Sequence, residues 1–140
     1  MSRQDTKLES EGAEFLVLGQ LLINKIPTYK TYTNMAGYDL VATNPEHNTS
    51  VRIQVKSRWK TNAGGFLIKQ LESDFVVLVK LNRGSVNGKL DILNPQYYVF
   101  PIDLIVSVHR NDKMPKVVLK DIAELKTYEN NWDLISEFLN

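Results

Sequence analysis

The stretch GYDLVATNPEHNTSVRIQVKSR, Gly37–Arg58, reads as two strands joined by a turn. Its pattern predicts a first strand over Tyr38–Thr43 and a second over Ser50–Trp59. Between them, Asn44-Pro45-Glu46-His47-Asn48 gathers residues that favour turns. Side chains alternate faces along a strand. Val51, Ile53 and Val55 therefore share one face of the second strand, and Arg52, Gln54 and Lys56 share the other. At a rise of roughly 3.3 Å per residue, Gln54 and Lys56 stand about 6–7 Å apart on that side. If the two strands pair, Asp39 can point into the same space. An acid, an amide and an amine would then converge on one small volume.

Such a trio has a chemical use and also a bland explanation. Hard divalent cations prefer oxygen ligands, which the Asp39 carboxylate and the Gln54 side-chain carbonyl supply. A cation held there polarises a phosphodiester and lowers the pKa of a bound water. Lys56 would orient that water or stabilise charge developing on the phosphate. The bland explanation is a β-hairpin with a polar outer face, and Asp39 with Gln54-Val55-Lys56 alone favours it.

Gly37-Tyr38-Asp39, then fourteen residues, then Gln54-Val55-Lys56-Ser57 resembles the core of the PD-(D/E)xK nuclease superfamily. That group includes type II restriction endonucleases and archaeal Holliday-junction resolvases. The sequence departs from the usual pattern twice: Tyr38 precedes the aspartate, and Gln54 stands where the second acid is usual, a QxK variant with one negative charge fewer. The resemblance covers about residues 8–82. It implies a restriction endonuclease-like core and hydrolysis of DNA phosphodiester bonds with Mg²⁺ or Mn²⁺. It also implies a double-stranded or branched DNA partner and a homodimer, since many relatives act as symmetric dimers. A non-catalytic module that keeps the nuclease-like fold and binds nucleic acid or protein is the alternative.

Residues 5–24 read as an amphipathic helix ending before Pro27. Phe15, Leu18 and Leu22 set its expected apolar stripe, which Leu21 widens. Asp5, Glu9, Glu11 and Glu14 occupy the N-terminal half, where the helix dipole favours acids. Val17, Leu18 and Leu21 follow Glu14 at i+3, i+4 and i+7, so Glu14 lies on or beside the stripe. A carboxylate there needs a cationic partner or a route to solvent. The resemblance implies the former, because resolvases of this group carry a glutamate on the first helix that completes the metal site. Glu14, Asp39 and Gln54 are then the expected metal ligands, with Lys56 the remaining catalytic residue and Glu11 the competing choice on the helix.

Residues 28–34 alternate polar and aromatic and predict a short edge strand, with Lys30 and Tyr32 near the mouth of the site. Arg58 and Lys60 flank Trp59 just beyond the second strand, and Gly64-Gly65 closes that segment as a flexible end. Cations beside an aromatic suit a phosphate backbone and an unstacked base, so Arg58, Trp59, Lys60 and Lys30 are the candidate nucleic-acid contacts. A solvated hairpin end fits the same residues.

Residues 74–81, DFVVLVKL, predict a central strand buried on both faces. Short strands follow from Phe66-Leu67-Ile68, residues 97–101 and Lys116–Leu119, with turns at Asn82-Arg83-Gly84 and Asn87-Gly88. A short helix is expected over Ile102–Ile105 and an extended stretch through Val106 and Val108. A helical turn is expected over residues 120–126. Asn131 is the expected N-cap of a last helix carrying Trp132, Ile135 and Leu139. Tyr97–Val108 and that last helix are candidate dimer surfaces, although most of their residues suit a core. The fold class is α+β: one mixed sheet of five or six strands, the first helix on one face, and the C-terminal helices at the edge or on the other face.

The 140 residues suit one domain over 1–140, with 43% hydrophobic residues and room for a core without staples. The chain has no cysteine, which excludes disulfides and thiolate chemistry. No N-terminal signal pattern and no long apolar run occur, so a cytoplasmic protein is expected. The net charge of +1 lends nucleic-acid binding no support by itself. His47 and His109 lack zinc-ligand spacing, and neither a Gly-rich phosphate loop nor a G-x-S-x-G elbow occurs.

Overall fold

Residues 6–31 and 37–140 are described by the structure, a computed structural model. Helix α1 spans Thr6–Ile23, and strands β1 (Thr28–Lys30), β2 (Leu40–Asn44) and β3 (Thr49–Arg58) follow. The turn between β2 and β3 forms as its residues dictate. Asn44 Oδ1 accepts the Glu46 amide at 3.1 Å, and Asn48 takes a left-handed conformation that asparagine tolerates. Next come β4 (Gly65–Leu67), β5 (Phe75–Lys80), β6 (Gln96–Pro101), α2 (Ile102–Val108), β7 (Lys116–Val118) and α3 (Asp133–Leu139). Two 3₁₀ turns, Leu119–Asp121 and Leu125–Tyr128, separate β7 from α3.

Five strands form one mixed sheet in the order β1-β2-β3-β5-β6. Only β3 and β5 run parallel; the other pairs are antiparallel. All six residues of β5 are buried, which accounts for its unbroken apolar reading. One face of the sheet packs Leu40, Val51, Ile53, Val77 and Val99 against Ala13, Val17 and Leu21 of α1 and Trp132, Ile135 and Leu139 of α3. The opposite face packs Val76, Leu78, Tyr98 and Phe100 against Ile105 of α2 and Phe66 and Val117 of the β4–β7 ribbon.

Several sequence expectations need correction. The buried line of α1 is Ala13, Val17 and Leu21, whereas Phe15 and Leu22 are 48% and 49% exposed. Both lie on the side of the helix turned from the sheet. Val106 and Val108 belong to helix α2, which runs on to Val108 rather than giving way to an extended stretch. Asn131 does not cap α3; its amide nitrogen donates to the Thr127 carbonyl, one turn back. The last helix shares a face with α1 and does not lie across the sheet from it. Gly65 is not a loose end: it pairs with Val118, and a Cβ there would meet the Val117 carbonyl oxygen at 2.4 Å. Tyr97–Phe100, Ile105, Trp132, Ile135 and Leu139 are core residues, as expected for most of those two segments. Part of the expected edge strand, with Tyr32, lies outside the described residues.

Candidate active site

Pairing between β2 and β3 ends at Leu40 and Ile53, yet β3 continues to Arg58 alongside β5. A notch opens where β2 stops. Asp39 stands at its lip, held at three points. Its backbone N–H donates to the Ile53 carbonyl at 2.8 Å, and its own carbonyl accepts the Thr31 amide at 3.0 Å. Its Oδ2 accepts the Val55 amide at 2.8 Å, filling the place that a further β2 carbonyl would have taken. Gly37, two residues earlier, has φ +86°, a conformation open to glycine and strained for most others.

Gln54 and Lys56 project from β3 on the side of Val76 and Leu78, their partners across the parallel pair. Gln54 is buried, and its Nε2 donates to the Gln70 carbonyl at 2.9 Å. That bond leaves the amide oxygen as the end available to a ligand. Glu14 arrives from α1 and enters the notch from the neighbouring layer. Glu14, Asp39, Gln54 and Lys56 line one pocket of about 320 Å³, together with Ser10, Tyr38 and Gln70. The sequence did not single out Ser10 or Gln70. Ser10 sits one helical turn before Glu14, a spacing that places both on one side. Gln70 belongs to the connection between β4 and β5, and no local pattern marks it.

Burial makes every charge in this pocket reluctant. It pushes Asp39 above the usual carboxylate range, against the Val55 amide and the Lys56 and Lys30 charges, which favour the ionised form. Burial likewise raises Glu14, opposed by its hydrogen bond from Lys30 and reinforced by the nearby Asp39 charge. Lys56 is lowered by the same desolvation, with Asp39 pulling it back. Two carboxylates that resist ionisation beside an amide oxygen are a donor set suited to a hard cation, whose charge would offset the desolvation. Among the described residues no three His, Cys, Asp or Glu side chains group together, so the amide would have to serve as the third protein donor.

Lys30 is not placed as a phosphate contact. Its side chain is only 6% exposed, and its ammonium binds Glu14 and lies 3.4 Å from Glu11. Burial works against its charge, but these two carboxylates hold its pKa above the ordinary lysine value. Glu11, the competing helix acid, therefore stands at the outer end of this ion pair and does not line the pocket. Arg58 is half-buried and donates to the Gly65 carbonyl. It lines a second hollow with Lys56 and Ser57, which shares Ser10, Val55 and Lys56 with the first. Trp59 and Lys60 are exposed at the end of β3.

No protein-family model matches the sequence, and no curated protein does. Solved structures do match. A bacterial homing endonuclease, I-Ssp6803I, superposes with a TM-score of 0.61 at 22% identity, over 97% of this chain and 94% of that one. Hjc, a Holliday junction resolvase from Archaeoglobus fulgidus, superposes with a TM-score of 0.57 at 15% identity, over 91% of this chain and 96% of that one. The mixed five-stranded sheet with its flanking helices is thus the restriction endonuclease-like fold that these two nucleases share.

Proposed function

We propose that the protein is a divalent-metal-dependent endonuclease acting on double-stranded or branched DNA. The observation that carries this reading is the meeting of Glu14, Asp39, Gln54 and Lys56 around one pocket in a fold shared with two nucleases. Asp39, the Gln54 amide oxygen and Glu14 would hold Mg²⁺ or Mn²⁺. Such a cation supplies Lewis-acid activation of the phosphodiester and of water. Lys56 would lie against the phosphate and donate to an oxygen as negative charge builds in the transition state. Asp39, fixed through the Val55 amide, keeps its carboxylate aimed at the pocket without reorganisation. Arg58, Trp59 and Lys60 continue the line of Lys56 along β3 and would follow the DNA backbone away from the cleaved bond.

One observation favours the alternative of a binding module that does not cut. Glu14 already has a cationic partner in Lys30, and Gln54 contributes no charge. The experiment is a cleavage assay with Mg²⁺ or Mn²⁺ on duplex, branched and single-stranded DNA. The expected result is cutting by the natural sequence and loss of at least two orders of magnitude in Lys56→Ala and Asp39→Ala. DNA binding without cleavage under both metals would leave the module as the function.

A further inference from the structure

Lys30 is held in a socket that α1 builds for it. Glu11, Glu14 and Phe15 stand at i, i+3 and i+4 and so share one side of the helix. The Lys30 ammonium binds Glu14, lies 3.4 Å from Glu11 and sits 5.4 Å from the centre of the Phe15 ring. Its own strand fixes it there. Lys30 pairs with Leu40, next to Asp39, and the Thr31 amide donates to the Asp39 carbonyl. Glu14, the inner wall of the socket, also lines the pocket of Asp39, Gln54 and Lys56, whereas Lys30 does not.

One carboxylate thus faces two claims. The side chains of Lys30 and Glu14 are 6% and 16% exposed, so water screens their pairing little. The two acids of the pocket are already matched by two ammonium groups: Lys30 binds Glu14, and Asp39 feels the charge of both Lys56 and Lys30. A divalent cation between Glu14 and Asp39 adds two positive charges to a volume where charge is poorly solvated. An ammonium must then withdraw. Lys56 stands inside the pocket beside Asp39. Lys30 has Glu11 to receive it, on the outer side of the socket and 52% exposed.

We propose that Lys30 is the resident counter-cation of this pocket: its ammonium occupies Glu14 in the metal-free protein and is displaced toward Glu11 when a divalent cation binds, so that Lys30 sets how tightly the metal is held. This rests on the metal-dependent reading above. The coupling is reciprocal, since the pair weakens the metal as much as the metal weakens the pair. A lysine that instead steadied Glu14 as a ligand, sharing its carboxylate with the metal, would have the opposite sign.

Calorimetry with Mn²⁺ separates the two. Lys30→Gln removes the charge and keeps a hydrogen-bond donor for Glu14. It is expected to tighten Mn²⁺ binding by about fivefold or more, whereas Asp39→Ala is expected to abolish it. In melting, Lys30→Gln is expected to fall below the natural chain without metal and to regain most of that gap at saturating Mn²⁺. The natural chain supplies a reading that does not depend on the variant folding. An ammonium clamped by carboxylates exchanges its protons slowly with water, and Mg²⁺ is expected to speed that exchange at Lys30 in NMR. Unchanged or weaker Mn²⁺ binding by Lys30→Gln, with Asp39→Ala still abolishing it, would overturn the proposal and leave the metal site standing. So would a melting gap that Mn²⁺ does not narrow, or a Lys30 ammonium whose exchange stays slow in Mg²⁺. Mn²⁺ binding that survives Asp39→Ala, or no binding by the natural chain, would remove the metal-dependent reading and the proposal with it.

Discussion

Gln54 binds the Gln70 carbonyl through its nitrogen and offers its oxygen to the pocket. A glutamate would supply a third negative charge for a cation, but it would lose that donor and set a carboxylate against a carbonyl. Gln54→Glu is therefore expected to tighten Mg²⁺ binding by the free protein in calorimetry, and to cost about 1–3 kcal/mol of metal-free stability, the usual penalty for a buried polar group left unpaired. Unchanged affinity together with an unaffected Asp39→Ala would remove both residues from the ligand set. At this scale the sequence was most legible where chemistry follows a period of two. Asp39, Gln54 and Lys56 sit on neighbouring extended segments, and alternation alone put them on one side. Gln70 was invisible because its contact with Gln54 lies sixteen residues away along the chain, on a connection no local pattern marks. The pairing of Lys30 was hidden for a related reason: sequence places a cation near the site but not the carboxylates of Glu11 and Glu14 beside it.

The elements were legible as elements, and the faces were not. Helix α1 appeared with nearly its observed ends, but its two apolar sides share one period, so spacing could not say which side met the sheet. Phe15 and Leu22 match a helical stripe as well as Val17 and Leu21 do. The wholly apolar β5 left no such choice. The ribbon of β4 and β7 was read as isolated strands, since pairing across so many residues leaves no local mark. Gly65 carries that pairing. A Cβ 2.4 Å from the Val117 oxygen must push the strands apart, and backbone cannot yield as a side chain does. Gly65→Ala is expected to destabilise the chain by about 1–3 kcal/mol in urea unfolding. Gly64→Ala, with nothing within 4 Å of its added Cβ, is expected to leave stability within about 0.5 kcal/mol.

For the whole molecule, partly buried carboxylates give stability an unusual dependence on pH. Glu9, Glu14 and Asp39 all have folded pKa values above their ordinary 4.5 and 3.8, chiefly through burial. A raised carboxylate binds its proton more tightly in the folded state. Its contribution is fully present below the unfolded pKa and is lost as pH rises through the folded one. The exposed Asp121, lowered by its hydrogen bonds from Arg110, acts in the opposite sense. Asp121 acts only below its ordinary 3.8, so above that the raised carboxylates decide: the metal-free protein is expected to melt higher near pH 5 than near pH 7. Asp39→Asn, which can still accept the Val55 amide, is expected to flatten that slope and raise the melting temperature at pH 7. A melting series without divalent ions checks both. On the proposed function, stability given up at Asp39 would be the counterpart of a carboxylate kept ready for a cation.

The path of the chain through β4 also bears on how the molecule is made. β3 and β5 adjoin in the sheet, but the chain between them leaves it to form β4, whose partner β7 lies some fifty residues further on. During synthesis from the N-terminus, the central strands would be free to pair once Lys80 had left the ribosome. The ribbon would have to wait for Val118, across a long loop whose closure costs entropy. Gln70 lies on that same excursion, so the carbonyl that orients Gln54 would settle only with it. A nascent chain cut short before β7 would carry Asp39, Gln54 and Lys56 on a formed sheet and still lack a fixed amide at the centre of its site.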